Sequence, residues 1–204
     1  MSMFTIEAGR QKQLQVRIEA ELAAYRYKVF VEQLGWDLPI AQVGSERDQF
    51  DGRDTFYVVV KDGDERICGC ARLLPTTKPY LLSTVFPQLM GNQPLPMSAD
   101  VWELSRYTTQ LVNGEIASRL EAAERFRQLL KAVCEAAFDG GAKRLITFSY
   151  LGVERIARNF GIHVHRVGPS ELIDGRPVVA FWIELDEQTF DALNGSALIR
   201  SVTH

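Results

Sequence analysis

"VWELSRYTTQ", residues 101–110, has the composition of a β-strand, with apolar and β-branched residues on either side of two opposite charges, Glu103 and Arg106. Side chains alternate faces along a strand, so residues three apart point to opposite sides of a regular sheet. Either one of the pair faces solvent or the strand is irregular. A bulged residue between them would reset the alternation and bring both to one face.

Reading outward from this strand, the N-terminal side opens with an alternating stretch, "MFTIEAG", and then "QKQLQVRIEAELAAYRYKVFVEQLG". In the latter, Leu14, Ile18, Leu22, Tyr25, Val29 and Leu34 recur at helical spacing, which predicts a helix with one apolar face, broken once. "WDLPIAQVGSERDQFDGRD" is rich in Gly, Pro and charge and reads as a long surface loop. Loops of that length are often functional, which draws attention to Asp48 and Asp51. "TFYVVVKDGDERICGCARLLP" is a hairpin turning at "DGDE", and a proline-rich connection follows with a short helix at "LLSTVFPQLM".

On the C-terminal side, residues 116–138 form a long amphipathic helix stopped by "GG". After it come a strand at "KRLITFS", a helix at "YLGVERIARNFG", a strand at "IHVHRVG", a turn at "IDGRP", a last strand at "VVAFWIEL" and a terminal helix. The order predicts an α/β fold, a three-layer sandwich with a mixed central sheet and helices on both faces. It is the element order of the acetyltransferase-like, or GNAT-like, fold. With 204 residues, 46% of them hydrophobic, the expectation is one domain, with a core over about 1–190 and a tail at 191–204.

The formal charge of -3 argues against a protein that works by neutralising nucleic-acid phosphates. The N-terminus lacks the apolar run of a signal peptide and no stretch is long enough for a membrane span, so a cytoplasmic protein is expected. Cys68, Cys70 and Cys134 read as buried thiols. A zinc site would need four ligands in a closed shell, and none is expected.

Four separated motifs, "YRYKVFVEQLGW", "ERDQFDGRDT", "ICGCARLLPT" and "WELSRY", stand in the order of the LuxI-type acyl-homoserine-lactone synthases, and the chain resembles that family from about residue 3 to about 186. The family's motif positions fall on Arg26, Phe30 and Trp36, on Asp48 and Asp51, on Arg72, and on Glu103 and Arg106. The resemblance implies a GNAT-like fold and transfer of an acyl group from acyl-acyl carrier protein to S-adenosylmethionine. The products would be an acyl-homoserine lactone, methylthioadenosine and free carrier protein. S-adenosylmethionine is then a substrate, and no cofactor is expected.

Under that resemblance each residue acquires a chemical task. The amine must lose a proton before it attacks a thioester, and Glu103 is the candidate base, with Arg106 and Asp48 beside it as catalytic residues. Arg26 suits the substrate carboxylate, while Phe30 and Trp36 suit the adenine or the sulfonium. Asp51 and Arg72 are expected to shape the pocket. For all six charged residues the alternative is a purely structural ion-pair network, because buried charges demand partners.

Leu145, Ile146, Thr147, Phe148 and Ser149 should line the acyl tunnel, with moderate bulk that suits a medium chain. Arg155 and Arg158, three apart on one helix face, are the expected docking surface for an acidic carrier protein, with Lys143 and Arg144 as a possible extension. "NGEIASRLEAAERFRQLLKA" has no Gly-x-Gly cluster of the kind that holds a coenzyme A pyrophosphate at a helix start, which favours the carrier protein as donor. Two other functions fit the same scaffold: an N-acyltransferase that uses acyl-coenzyme A and another amine, and a non-catalytic carrier-protein or nucleotide-binding module.

Overall fold

The computed structural model describes residues 4–14, 16–37, 42–112 and 118–195; the end of the expected tail lies outside them. The chain divides into two compact units, Met1–Leu74 with Leu104–Val133, and Pro75–Glu103 with Cys134–His204. The strand β4 (Val101–Thr108) and the helix α3 (Arg119–Asp139) each run across the division.

In the first unit, β1 (Thr5–Arg10), β2 (Phe56–Lys61) and β3 (Ile67–Pro75) pair antiparallel in chain order. The "DGDE" turn between β2 and β3 is held by Asp62, whose carboxylate accepts from the Asp64 and Arg66 amides at 2.9 Å each. The predicted amphipathic helix is present as α1 (Val16–Arg26), and it continues into a π-helical segment, Tyr27–Gln33. The Leu34 amide donates to the Val29 carbonyl at 2.9 Å, a five-residue span that widens the helix there. Ile18, Leu22, Tyr25, Val29 and Phe30 from this run pack on Tyr57, Val59, Ile67 and Cys70 of the sheet. Burying a side chain of this size contributes about 1.5–3 kcal/mol, so the face is well able to seat the helix.

The loop expected on the surface before β2 is exposed along most of its described residues, with two exceptions. Glu46 and Phe50 are buried, because this segment carries acids whose partners lie inside.

The second unit contains α2 (Leu81–Val85), a 3₁₀ turn at Pro87–Met90, β5 (Arg144–Tyr150), α4 (Leu151–Asn159), β6 (Val164–Arg166), β7 (Glu171–Ile173), β8 (Arg176–Glu184) and α5 (Glu187–Asn194). β8 is its organising strand. It pairs antiparallel with β5 from Arg144↔Glu184 to Tyr150↔Val178, and β6 and β7 also pair with it. The three-residue β7 was not legible as a strand, although its turn was: Asp174 and Gly175 have φ of 50° and 73°, the two positive angles a tight hairpin of primed type requires. Gly140, just after α3, sits so close to Trp102 that a Cβ there would meet the indole at 2.5 Å.

Candidate active site

Three of the predicted arginines and two of the predicted acids meet in the first unit, joined by an acid that sequence reading missed. Arg26 donates from Nε to Glu46 at 2.5 Å and from Nη1 to Asp51 at 3.0 Å. Arg72 donates from Nη1 to Asp48 at 2.6 Å and Asp51 at 2.8 Å. Arg106 donates from Nη2 to Glu46 at 3.0 Å and Asp48 at 2.9 Å. Each arginine thus bridges two acids and each acid two arginines, so the three positive and three negative charges cancel within a closed ring. Arg26 and Arg72 come from α1 and β3, Arg106 from β4, and the acids from the loop before β2.

The electrostatics follow from burial and pairing. Desolvation pushes the Asp51 carboxyl up, but the charges of Arg26 and Arg72 and the hydrogen bonds from Arg26 and Tyr57 outweigh it and hold the group well below the usual carboxylate range. Glu46 is likewise lowered, since burial is outweighed by Arg26 and Arg106. Burial and the Asp51 charge push the Tyr57 phenol well up, so it stays protonated and donates to Asp51. Arg26 and Arg72 are held charged despite burial.

β4 is irregular where this ring requires it. Arg106 has a φ of +52°, in the left-handed region that side chains rarely adopt. As a result the hydroxyl of Ser105, which accepts from Arg72 Nε at 3.1 Å, and the guanidinium of Arg106 both reach one network although they are consecutive. Phe30 and Trp36 stack with centroids 4.8 Å apart, and the Arg106 guanidinium lies 5.5 Å and 5.8 Å from their ring centres. The aromatic pair expected for the substrate's nucleoside or sulfonium therefore stands beside the ion ring.

Two of the residues expected at the site have partners within the protein. Arg26 was assigned to a substrate carboxylate, yet its Nε and Nη1 are engaged by protein acids; Nη2 alone is a buried donor with no hydrogen-bond partner among the described residues, as is Nη2 of Arg72. Arg26 lines a cavity of about 10 Å³ with Gln11, Asp51 and Tyr57, room for a water-sized group and far too small for a nucleoside. Glu103, assigned as the base, is fully buried, and its two carboxylate oxygens accept from the Leu81 amide at 3.3 Å and the Leu82 amide at 2.6 Å.

Glu46 was overlooked because an acid in a charged loop looks solvated; its one signal was its place two residues before Asp48. In the second unit Leu145, Ile146 and Thr147 are buried on β5, while Phe148 and Ser149 are half-buried. Arg155 is exposed. Arg158 and Arg166 both bond to the buried Glu154. The three cysteines are buried free thiols, and burial pushes Cys68 up to about 11 and Cys70 to about 12. Among the described residues no helix is long and apolar enough to cross a membrane.

This ring of charges beside an aromatic pair sits on an α/β scaffold with the acyltransferase element order. A protein described as an N-acetyltransferase from Lactobacillus plantarum shares that fold, with a TM-score of 0.59 at 21% identity over 90% of this chain and 99% of its own. Residues 11–193 match the autoinducer synthase family. The acyl-homoserine-lactone synthase of Ralstonia nicotianae is 47% identical over 95% of this chain and 93% of its own length. The crystal structure of TofI in a ternary complex with an inhibitor and MTA is 46% identical, with a TM-score of 0.80, over 94% of this chain and 97% of that one. BjaI, a CoA-dependent acyl-homoserine lactone synthase crystallised with SAM and isopentyl-CoA, is 28% identical with a TM-score of 0.78 over 95% of this chain and 88% of that one. The chain belongs to the autoinducer synthase family, and its activity is that of an acyl-homoserine-lactone synthase, an acyltransferase.

Proposed function

We propose that the acyl donor is an acyl-acyl carrier protein and the acceptor S-adenosylmethionine. The acceptor's amine forms a bond to the thioester carbonyl carbon, the carbon–sulfur bond of the thioester breaks, and the carrier thiol leaves as the amine loses its proton. The acceptor's own carboxylate then attacks the carbon attached to sulfonium, closes the lactone and releases methylthioadenosine. The second step needs positioning more than acid–base help, because the sulfonium is already an activated leaving group. Phe30 and Trp36 would face the nucleoside or sulfonium, and the neutral ion ring would hold them without adding net charge beside a zwitterionic cation. Use of this acceptor is supported by the MTA and SAM complexes of TofI and BjaI.

The observation that carries the choice of donor is the start of α3. Ser118 and Glu121 form a reciprocal cap: the Ser118 amide donates to the Glu121 carboxylate at 3.0 Å, and the Glu121 amide donates to the Ser118 hydroxyl at 3.2 Å. In this fold a pyrophosphate would bind amides at that helix end. Here two amides are already satisfied and a carboxylate stands among them, which disfavours a diphosphate donor and not a carrier-bound pantetheine. Arg158 and Arg166 share the single Glu154 carboxylate and Arg155 is exposed on the same helix, which supports a net positive surface for an acidic carrier protein. β5 would line the channel for a medium-length acyl chain.

The test is methylthioadenosine release from S-adenosylmethionine with matched acyl-acyl carrier protein and acyl-coenzyme A donors. A higher kcat/KM with the carrier protein is expected. Preference for coenzyme A would overturn the donor assignment, and release with neither would overturn the reaction.

A further inference from the structure

Glu103 is a buried carboxylate in the second unit that caps the start of α2 through the Leu81 and Leu82 amides. α2 is too short to hold itself together in water, so its placement depends on such contacts. The next link is in the helix itself, where the Phe86 amide donates to the Leu82 carbonyl at 3.1 Å. Phe86 closes α2, and its ring packs on Phe148 of β5 with centroids 5.1 Å apart. Across the β5–β8 ladder Phe148 is paired with the small residue Ala180. Both phenyl rings are only half-buried. An unbroken path thus runs from the Glu103 carboxylate through Leu82 and Phe86 to the strand expected to line the acyl channel.

We propose that Glu103 is a positioning residue for the acyl donor: by anchoring α2 it sets Phe86 against Phe148, and this aromatic pair fixes the depth of the acyl channel and hence the preferred chain length. The proposal rests on the acyl-transfer reading above. Glu103→Gln keeps the shape but leaves one amide facing an NH₂ group instead of an acceptor, so α2 should loosen and Phe86 with it.

The experiment measures kcat/KM over a ladder of acyl-chain lengths for the wild type, Glu103→Gln, Phe86→Ala and the double variant, with methylthioadenosine as the product followed. One methylene in an apolar pocket is worth roughly 10-fold to 200-fold, so a change in depth is readable. Phe86→Ala should move the optimum to longer donors, and Glu103→Gln should move it the same way. The double variant should match Phe86→Ala alone, because an anchor that acts through Phe86 has nothing left to act on. Hydrogen exchange at residues 80–90 should speed up in Glu103→Gln, a readout independent of turnover.

If Glu103→Gln lowers kcat by a common factor at every chain length with the optimum unmoved, Glu103 works at the amine and the proposal falls. Unchanged exchange at 80–90 overturns it as well, even in a protein with no measurable turnover. A wild type that forms no methylthioadenosine with any donor would instead refute the acyl-transfer reading, leaving the exchange result to judge the anchor.

Discussion

Ser105 and Arg106 are consecutive on β4, yet the hydroxyl of one and the guanidinium of the other enter the same ion ring, Ser105 through Arg72 and Arg106 through Asp48 and Glu46. The left-handed φ of Arg106 makes this possible. Backbone in that region costs of order 1–3 kcal/mol for a residue with a side chain, and the paired guanidinium offsets it. Replacing Arg106 with Ala takes one positive charge out of the ring and leaves Glu46 and Asp48 with one arginine each, so unfolding in urea should show a loss of roughly 3–5 kcal/mol, the usual effect of removing one partner of a buried pair. A loss below about 1 kcal/mol would mean that the ring closes without it.

Glu46 should prove as important as any residue recognisable from the sequence. Glu46→Ala leaves Arg26 on Asp51 and Arg106 on Asp48 but sets three buried guanidinium groups against two carboxylates, and a similar loss of roughly 3–5 kcal/mol is expected. Glu46→Gln keeps an acceptor for one arginine, turns an NH₂ group toward the other and leaves a net positive charge, and should lie between the alanine variant and the wild type. Chemical denaturation of the three proteins side by side gives the order.

Acid should weaken the fold in a defined window. Asp51 and Glu46 have folded-state values below their unfolded ones, so the unfolded chain binds more protons between the two and stability rises with pH there. Their contribution is complete above the ordinary carboxylate range of about 4 and is lost as the pH falls toward the depressed values. Melting temperature against pH should drop steeply in that range. The drop should be shallower in Glu46→Gln.

Trp36→Ala removes the ring stacked on Phe30 and leaves the ion ring in place. The KM for S-adenosylmethionine should rise about 10-fold or more, in line with a lost aromatic contact to a cation, while the KM for the acyl donor changes little. An equal rise in both constants would show that the change had loosened the fold.

Charge reversal on α4 tests the carrier surface. Arg155→Glu with Arg158→Glu should raise the KM for acyl-acyl carrier protein and leave that for S-adenosylmethionine alone. Added salt should raise the wild-type KM for the carrier, because exposed charges are screened within about 8 Å at physiological ionic strength. If the variant keeps the wild-type salt response, the carrier docks elsewhere. Steric fit in the second unit is checked by Gly140→Ala: its Cβ would overlap Trp102, and a loss of about 1–3 kcal/mol is expected by thermal or chemical unfolding.

The sequence by itself determined nearly all of the elements and their order, because their signals are local; the three-residue β7 is the strand it did not reveal. The period of the residues from Leu14 to Leu34 marks a helical run, "DGDE" and "IDG" mark turns, and the double glycine marks the end of α3; the π-helical form of Tyr27–Gln33 shows only in the hydrogen bonds. Four spaced motifs likewise determined the family and the side chains to examine. For β4 they left two readings open, one of Glu103 and Arg106 in solvent or an irregular strand, and the burial of both with the left-handed φ of Arg106 decides for the second. Tertiary structure decided the use of these residues. Which acid an arginine meets depends on how a loop folds over a sheet, and that is set by desolvation and charge balance among residues distant in sequence. Hence Glu46, unremarkable in its loop, completes the ring with Asp48 and Asp51. Hence, too, Arg26 turns inward to the acids, and the Glu103 carboxylate is directed to the amides of α2, which are more than twenty residues away along the chain.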